Sequence, residues 1–207
     1  MLELIQKGGA VMWLILAASV LGAAVFLAKL YDLHRAQIRS GDFLKGIYNI
    51  LNRHNIVEAV SICEETPGPV ASIVRAAVLH HGEDRPVIAQ AIEEAGLAEV
   101  PRLERNLTVL ATIAQIAPMM GLLGTVLGMI RVLLVIEQKA PLVHAGDVLG
   151  GLWQALLTAA AGLAVGIPAY AGYNLLVSRV ESIVLDMERA AVDILAFLAG
   201  QAKRPGA

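Results

Sequence analysis

Residues 106–130 read NLTVLATIAQIAPMMGLLGTVLGMI, a stretch of 25 residues without a charged side chain. A second charge-free stretch, residues 148–178, reads VLGGLWQALLTAAAGLAVGIPAYAGYNLLVS, and a third spans residues 10–28. The hydrocarbon core of a bilayer is about 30 Å thick, and roughly 20 apolar helical residues are needed to cross it. The three stretches therefore predict three transmembrane helices.

The composition supports a membrane protein and excludes several other classes. Of the 207 residues, 57% are hydrophobic and only 16% are charged, whereas about one-quarter are charged in a typical soluble domain. The net charge of -2 provides no basic excess for binding nucleic acid. One cysteine, Cys63, permits neither an internal disulfide nor a cysteine-based zinc site. Because no catalytic or phosphate-binding motif is present, we expect no enzymatic activity, no metal and no cofactor.

The first apolar stretch has two interpretations. Lys7 and the small residues Ala23 and Ala24 suit a cleaved signal peptide. However, the 19 residues from 10 to 28 exceed the usual signal core of about 7–15 residues, and Glu3 is unfavourable in its basic segment. We therefore expect a retained membrane anchor.

Basic residues near the helix ends predict the orientation in the membrane. Eight Lys and Arg residues flank one side of the three spans and three flank the other, which predicts an external N-terminus and a cytoplasmic C-terminus. The expected segments are an N-terminal region with the first transmembrane helix (1–28), a cytoplasmic helical segment (29–105), a second transmembrane helix (106–136), a short external loop (137–147), a third transmembrane helix (148–177), and a cytoplasmic C-terminal helix and tail (178–207).

The water-exposed parts of the chain are predicted to be helical. Residues 29–105 carry 20 of the 34 charges, and helix breaks are expected at residues 66–69 (TPGP) and 82–86 (GEDRP). Near the C-terminus, an amphipathic helix that continues the third span is indicated by apolar residues at steps of three and four: Val180, Ile183, Val184, Met187, Ala191, Ile194, Leu195 and Leu198. The expected fold class is an all-α integral membrane protein with three transmembrane helices and long cytoplasmic helical extensions.

Small residues form one stripe on each of the two later spans. The stripe on the second span comprises Ala117, Gly121, Gly124 and Gly128, and the stripe on the third comprises Ala155, Ala159, Gly162, Gly166 and Ala169. Small residues let helix backbones approach closely in lipid. We therefore assign to helix packing Gly121, Gly124, Gly128, Gly162 and Gly166, together with Pro118 and Pro168. Pro118 and Pro168 lie inside the same spans, where each frees a backbone carbonyl and permits a kink.

A few polar residues accompany the stripes. Thr125, Gln154 and Thr158 are expected to face an internal, mildly polar surface, because such groups need a partner in lipid. Neither residues 106–130 nor residues 148–178 contain Asp, Glu, His, Lys or Arg. A proton relay across the membrane would therefore need a carboxylate from another polypeptide.

These two spans resemble a known family. Residues 107–118 and 121–130 are similar to the second span of the MotA/TolQ/ExbB proton-channel family, and residues 155–169 with Tyr173-Asn174 are similar to its third span. The chain is more similar to ExbB and TolQ than to the longer, four-span MotA. The resemblance implies a multi-pass protein of the bacterial inner membrane, with its N-terminus in the periplasm.

The resemblance also implies partners and a function. Such proteins form a homopentameric pore in the lipid bilayer around a single-span ExbD/TolR-like protein, whose membrane aspartate carries the proton. Proton flow then energises a TonB- or TolA-like protein for outer-membrane transport or integrity. The alternative is a non-conducting membrane scaffold of the same fold that anchors a partner protein.

The pore-lining residues implied by the resemblance are Thr125, Thr158, Gln154 and Ala159. Thr125 matches the pore-lining threonine of the family's second span. Ala159 stands where ExbB and TolQ usually have a threonine, and Gln154 stands where a glutamate is often found. Thr158 lies one position earlier, and a step of one residue turns a helix by about 100°, so its hydroxyl need not replace the missing one. Arg131, just after the second span, is a further departure from the family pattern.

Overall fold

A computed structural model describes residues 8–36 and 40–202 of the chain. The described residues are almost entirely helical, and no β-strand occurs among them. The helices are α1 (Gly9–Ala36), α2 (Ser40–Asn52), α3 (Ile56–Glu65), α4 (Pro69–Leu79), α5 (Arg85–Glu104), α6 (Leu107–Lys139) and α7 (Ala145–Ala202). Three helical stretches, which contain α1, α6 and α7, are long and apolar enough to cross a membrane. The predicted all-α membrane fold with three spans is thereby confirmed.

The chain divides into two compact units. The apolar unit comprises residues 8–29 and 106–176, and the charged unit comprises residues 30–105 and 177–202, within the described ranges. Glu3 and Lys7, on which the choice between anchor and signal peptide depends, lie outside the described residues.

Helices α6 and α7 meet in a turn that is shorter than the sequence suggests. The external loop is expected over 137–147, whereas α6 continues to Lys139 and α7 already begins at Ala145. Asp147 explains the early start of α7, because its Oδ2 accepts a hydrogen bond of 3.2 Å from the backbone N–H of His144 and so caps the first turn. The same carboxylate forms an ion pair with Lys139. These polar contacts extend both helices into the expected loop.

The charged unit has a core of its own, built around α4. Six side chains of α4 are buried in addition to Pro69 at its first position: Val70, Ala71, Ile73, Val74, Ala77 and Val78. The helix breaks predicted on either side of α4 are confirmed, since α3 ends at Glu65 and α5 begins at Arg85. Thr66 closes α3 by donating its hydroxyl to the carbonyl of Ile62 at 2.7 Å.

The C-terminal part of α7 supplies another face of this core. The predicted apolar stripe is confirmed, because five of its members are buried: Val180, Ile183, Met187, Ile194 and Leu198. Phe197 stacks on Tyr48 of α2 with ring centroids 4.4 Å apart. A break between α2 and α3 was not anticipated from the sequence; there His54 adopts a positive φ of 58° and Asn55 caps α3 through the backbone N–H of Glu58.

Candidate functional site

The two small-residue stripes face each other and form the contact between α6 and α7, which we call the seam. A Cβ atom built on Gly162 would lie 2.6 Å from the carbonyl oxygen of Ala117 and 2.8 Å from the Cα of Gly121. A Cβ on Gly128 would lie 2.7 Å from the backbone nitrogen of Ala155. Only glycine fits at such distances, so the two backbones are in direct contact over several helical turns.

The two prolines of the spans have different surroundings. Pro118 lies in the seam, where a Cβ on Gly166 would come within 2.6 Å of its ring. Helix α6 continues through Pro118 without a break. Pro168 is exposed and lines a crevice of about 300 Å³ together with α1 residues such as Gly22 and Phe26. Pro168 was assigned to helix packing together with Pro118, and the structure places it at this crevice, which α1 residues also line.

Thr158 is enclosed in the seam. Its side chain has no exposed surface, and a Cβ on Gly124 would collide with its Oγ1 and Cβ. The hydroxyl donates to carbonyl oxygens of its own helix, that of Gln154 at 2.8 Å and that of Ala155 at 3.1 Å. Within this chain Thr158 therefore fills the space next to Gly124, and the hydrogen of its hydroxyl is donated inside α7.

Thr125 connects the two helices. Its hydroxyl lies 3.0 Å from the carbonyl oxygen of Gly121 on α6 and 3.2 Å from that of Ala155 on α7. The side chain is only half-buried, so its Oγ1 is placed at the edge of the seam. In this position a hydroxyl can accept a further hydrogen bond from a group outside the protomer, because both of its contacts here use it as a donor.

Gln154 and Arg131 form the second polar contact across the seam. Nη1 of Arg131 on α6 donates to Oε1 of Gln154 on α7 at 2.6 Å. Gln154 is 3% exposed, and a Cβ on Gly9 at the start of α1 would lie 2.9 Å from its Nε2. Arg131 was recognised from the sequence only as a departure from the family pattern. The available signal was its position directly after a long charge-free stretch.

Ala159 completes the set of residues expected to line a pore. It is half-buried, and its Cα would lie 3.3 Å from a Cβ on Gly121. The structure thus brings Thr125, Gln154, Thr158 and Ala159 to one helix pair. Thr125 and Ala159 keep exposed surface there, whereas Gln154 and Thr158 are buried inside the protomer.

Between the two charge-free stretches, the chemistry available at the seam is limited to neutral hydrogen bonds. No Asp, Glu, His, Lys or Arg occurs in residues 106–130 or 148–178, and every buried side-chain nitrogen or oxygen in the described part of the chain has a hydrogen-bond partner. The groups at the seam can position a proton carrier but cannot themselves release or take up a proton near neutral pH.

The cysteine lies in the charged unit. Cys63 of α3 is 3% exposed. Burial raises the pKa of its thiol to about 11, more than the Arg75 guanidinium lowers it. The thiol is therefore protonated and unreactive at neutral pH.

The close packing of α6 against α7 and the three long apolar helical stretches define an all-helical, multi-pass membrane protein. The chain belongs to the MotA/TolQ/ExbB proton channel family, which matches residues 65–189. The match includes α6 and most of α7, and hence the whole seam. This membership makes the chain an ExbB-like protein of the inner membrane.

Individual relatives agree with this family. An ExbB homologue of Methanothermobacter thermautotrophicus is 27% identical over 184 residues, covering 87% of this chain and 64% of the relative. An ExbB-like protein of Synechocystis is 28% identical over 163 residues, covering 78% of each chain. The biopolymer transport protein ExbB of Aquifex aeolicus is 42% identical over 86 residues, covering 42% of this chain and 57% of the relative. The chain thus spans less than two-thirds of the Methanothermobacter and Aquifex proteins.

Proposed function

We propose that the chain is the pore-forming subunit of a proton-driven motor in the inner membrane. In this proposal it is a homopentamer with a periplasmic N-terminus, it surrounds a single-span ExbD/TolR-like partner, and it energises a TonB- or TolA-like protein. The chain performs no covalent chemistry of its own. The observation that carries the proposal is the Thr125 hydroxyl at the edge of the seam, between two stretches, 106–130 and 148–178, that contain no Asp, Glu, His, Lys or Arg.

The missing carboxylate supports a division of labour between two polypeptides. A proton that crosses a bilayer needs a titratable group near the midplane, and residues 106–130 of the α6 region and 148–178 of α7 contain no Asp, Glu, His, Lys or Arg. The partner would contribute the carboxylate, and this chain would contribute the wall against which it moves. The names of these relatives refer to biopolymer transport, which fits a motor that drives a transport process.

The close backbone contacts support the role of a rigid wall. Gly162 and Gly128 leave no space between α6 and α7, so the helix pair moves as one body when a partner helix passes it. Thr125 is then held in place by the carbonyl oxygen of Ala155. A fixed hydroxyl can hydrogen-bond to a passing carboxyl group without any rearrangement of the wall.

The alternative function, a non-conducting scaffold, is favoured by one specific observation. Thr158 and Gln154 make their hydrogen bonds inside the protomer, and Ala159 has no hydroxyl. The polar lining would then be reduced to Thr125. A scaffold of this fold would still assemble and hold a partner helix, but it would pass no protons.

The deciding experiment measures proton flux into vesicles that contain this chain and the single-span protein with which it co-purifies. We expect Thr125→Val to lower partner-dependent flux by about tenfold, because one hydrogen bond of ~1.4 kcal/mol at the barrier corresponds to that factor. Thr125→Ser keeps the hydroxyl and should restore most of the flux.

Thr112→Val is the matched control. Thr112 is exposed on the same helix, and its hydroxyl donates to the carbonyl of Thr108 at 2.7 Å. This variant should conduct like the unmodified protein. Unchanged flux in Thr125→Val would remove Thr125 from the proton path, and the absence of partner-dependent flux in the unmodified protein would favour the scaffold.

A further inference from the structure

Arg131 carries a positive charge that its structural partner does not neutralise. Its guanidinium donates at 2.6 Å to the side-chain oxygen of Gln154, which is an uncharged amide. A guanidinium has five N–H donors, so most of them remain available for another acceptor. No Asp or Glu among residues 8–36 and 40–202 forms an ion pair with Arg131.

The neighbouring charges are already balanced. Asp147 lines the same groove as Arg131, but its carboxylate is engaged by Lys139 and by the backbone N–H of His144. The pair Lys139–Asp147 has no net charge. Arg131 is therefore the source of net positive charge in this groove.

The position of Arg131 along α6 gives its depth in the bilayer. The 25 charge-free residues 106–130 precede it, and at 1.5 Å per residue they span roughly 37 Å, more than the ~30 Å of the hydrocarbon core. Arg131 thus lies at the end of the span, where hydrocarbon gives way to polar headgroups. Trp153 lines the same groove, and tryptophan is enriched at this level of membranes.

The groove beside Arg131 has the shape and polarity for an amphiphilic molecule. It has a volume of about 690 Å³ and runs between α6 and the first turns of α7. Leu134, Val135 and Leu149 provide apolar walls, and Gly150 and Gly151 leave the floor without side chains. A charged head could contact Arg131 while acyl chains lie along the apolar walls and Trp153.

We propose that this groove binds an anionic phospholipid of the leaflet that adjoins the turn between α6 and α7, with its phosphate on the Arg131 guanidinium. Gln154 is the positioning residue, because its hydrogen bond directs the guanidinium from α6 towards the start of α7. Guanidinium groups pair well with phosphate oxygens through parallel N–H donors. The proposal requires only that the chain is in a membrane, and it is independent of proton flux and of the pentamer.

Trp153 allows a direct test, because the chain has only one other tryptophan, Trp13. The full chain with Trp13→Phe is reconstituted into phosphatidylcholine vesicles that contain a minor fraction of either brominated phosphatidylglycerol or brominated phosphatidylcholine. Bromine quenches tryptophan fluorescence on contact. We expect brominated phosphatidylglycerol to bind near Trp153 about fivefold more tightly than brominated phosphatidylcholine. One basic residue at a membrane surface contributes ~1 kcal/mol, which corresponds to that factor.

Substitutions then show which residue causes the preference for phosphatidylglycerol. Arg131→Gln should abolish this preference, whereas Arg131→Lys should retain much of it. The matched control is the double variant Lys139→Gln/Asp147→Asn, which removes a basic residue at the same end of the hairpin without changing the net charge. It should keep the full preference.

Four results would overturn the proposal. The first is equal quenching of Trp153 by the two brominated lipids in the Trp13→Phe chain with Arg131 intact. The second is a preference for phosphatidylglycerol that persists in Arg131→Gln. The third is the loss of that preference in the double control variant. A partner polypeptide that cross-links at position 131 and excludes phosphatidylglycerol would assign the groove to a protein carboxylate instead.

Discussion

Gly162 is the position at which the packing of α6 against α7 can be tested most sharply. A Cβ at this position would meet the backbone of α6 at three atoms, the nearest being the Ala117 oxygen at 2.6 Å. Backbone atoms inside a helix cannot rotate away as a side chain would. We therefore expect Gly162→Ala to force the two helices apart.

The structure sets the size of the effect. The contact falls about 0.8 Å short of ordinary van der Waals distance, and overpacking of this kind costs about 1–3 kcal/mol. A separation of that size also stretches the Thr125 contact to the Ala155 carbonyl, now 3.2 Å, beyond hydrogen-bond range, with a loss of about 1 kcal/mol. Together these two costs lower the free energy of unfolding by about 2–4 kcal/mol, before the change in helix propensity is counted.

Gly150→Ala provides the matched control, since no atom lies within 4 Å of a Cβ at Gly150 on the same helix. Both substitutions raise helix propensity by the same amount, about 1 kcal/mol. The difference in stability between the two variants therefore measures the steric cost alone. Thermal unfolding in detergent can be followed by intrinsic fluorescence, because Trp13 and Trp153 both lie in the apolar unit. We expect Gly162→Ala to unfold about 5–15 °C below Gly150→Ala. Equal midpoints for the two variants would refute the seam as described.

Two further predictions concern topology and the charged unit. In a chain with Cys63→Ser, cysteines introduced at Lys139 and at Arg189 should be labelled from opposite sides of the inner membrane, Lys139 from the periplasm; labelling of both from one side would contradict the three-span topology. In the unmodified chain, Cys63 should resist alkylation at neutral pH while the denatured chain reacts at once, because burial raises its pKa from the usual 9.0 to about 11. The neutral buried thiol stabilises the fold below pH ~9, and this contribution to stability is lost as the pH rises towards 11. Rapid alkylation of the folded chain at pH 7 would show that α3 is not packed as described.

Several features of this protein could be predicted because they depend on local sequence alone. Helix α6 follows from a charge-free stretch that is long enough to cross a bilayer. The breaks around α4 follow from Pro and Gly, which interrupt a helix whatever surrounds it. The apolar face of the C-terminal part of α7 follows from steps of three and four residues.

Helix boundaries and turns could be predicted less well from the sequence, because they depend on individual side-chain contacts. The turn between α6 and α7 is short since Asp147 accepts from His144 and pairs with Lys139. The turn before α3 depends on the left-handed conformation of His54. In both places the sequence has the composition of an ordinary loop, so neither the contacts of Asp147 nor the conformation of His54 can be predicted from it.

The sequence by itself determined that this is an all-helical membrane protein with small-residue stripes and with no Asp, Glu, His, Lys or Arg in residues 106–130 and 148–178. Only the tertiary structure decided which small and polar residues meet. It placed Thr158 against Gly124, left Thr125 at the edge of the seam, and paired Arg131 with Gln154 across 23 residues of sequence. Helical periodicity assigns a residue to a face of its own helix, but the partner of that face depends on the rotation and register of a second helix. Those are set by close packing between distant residues, which no local pattern records.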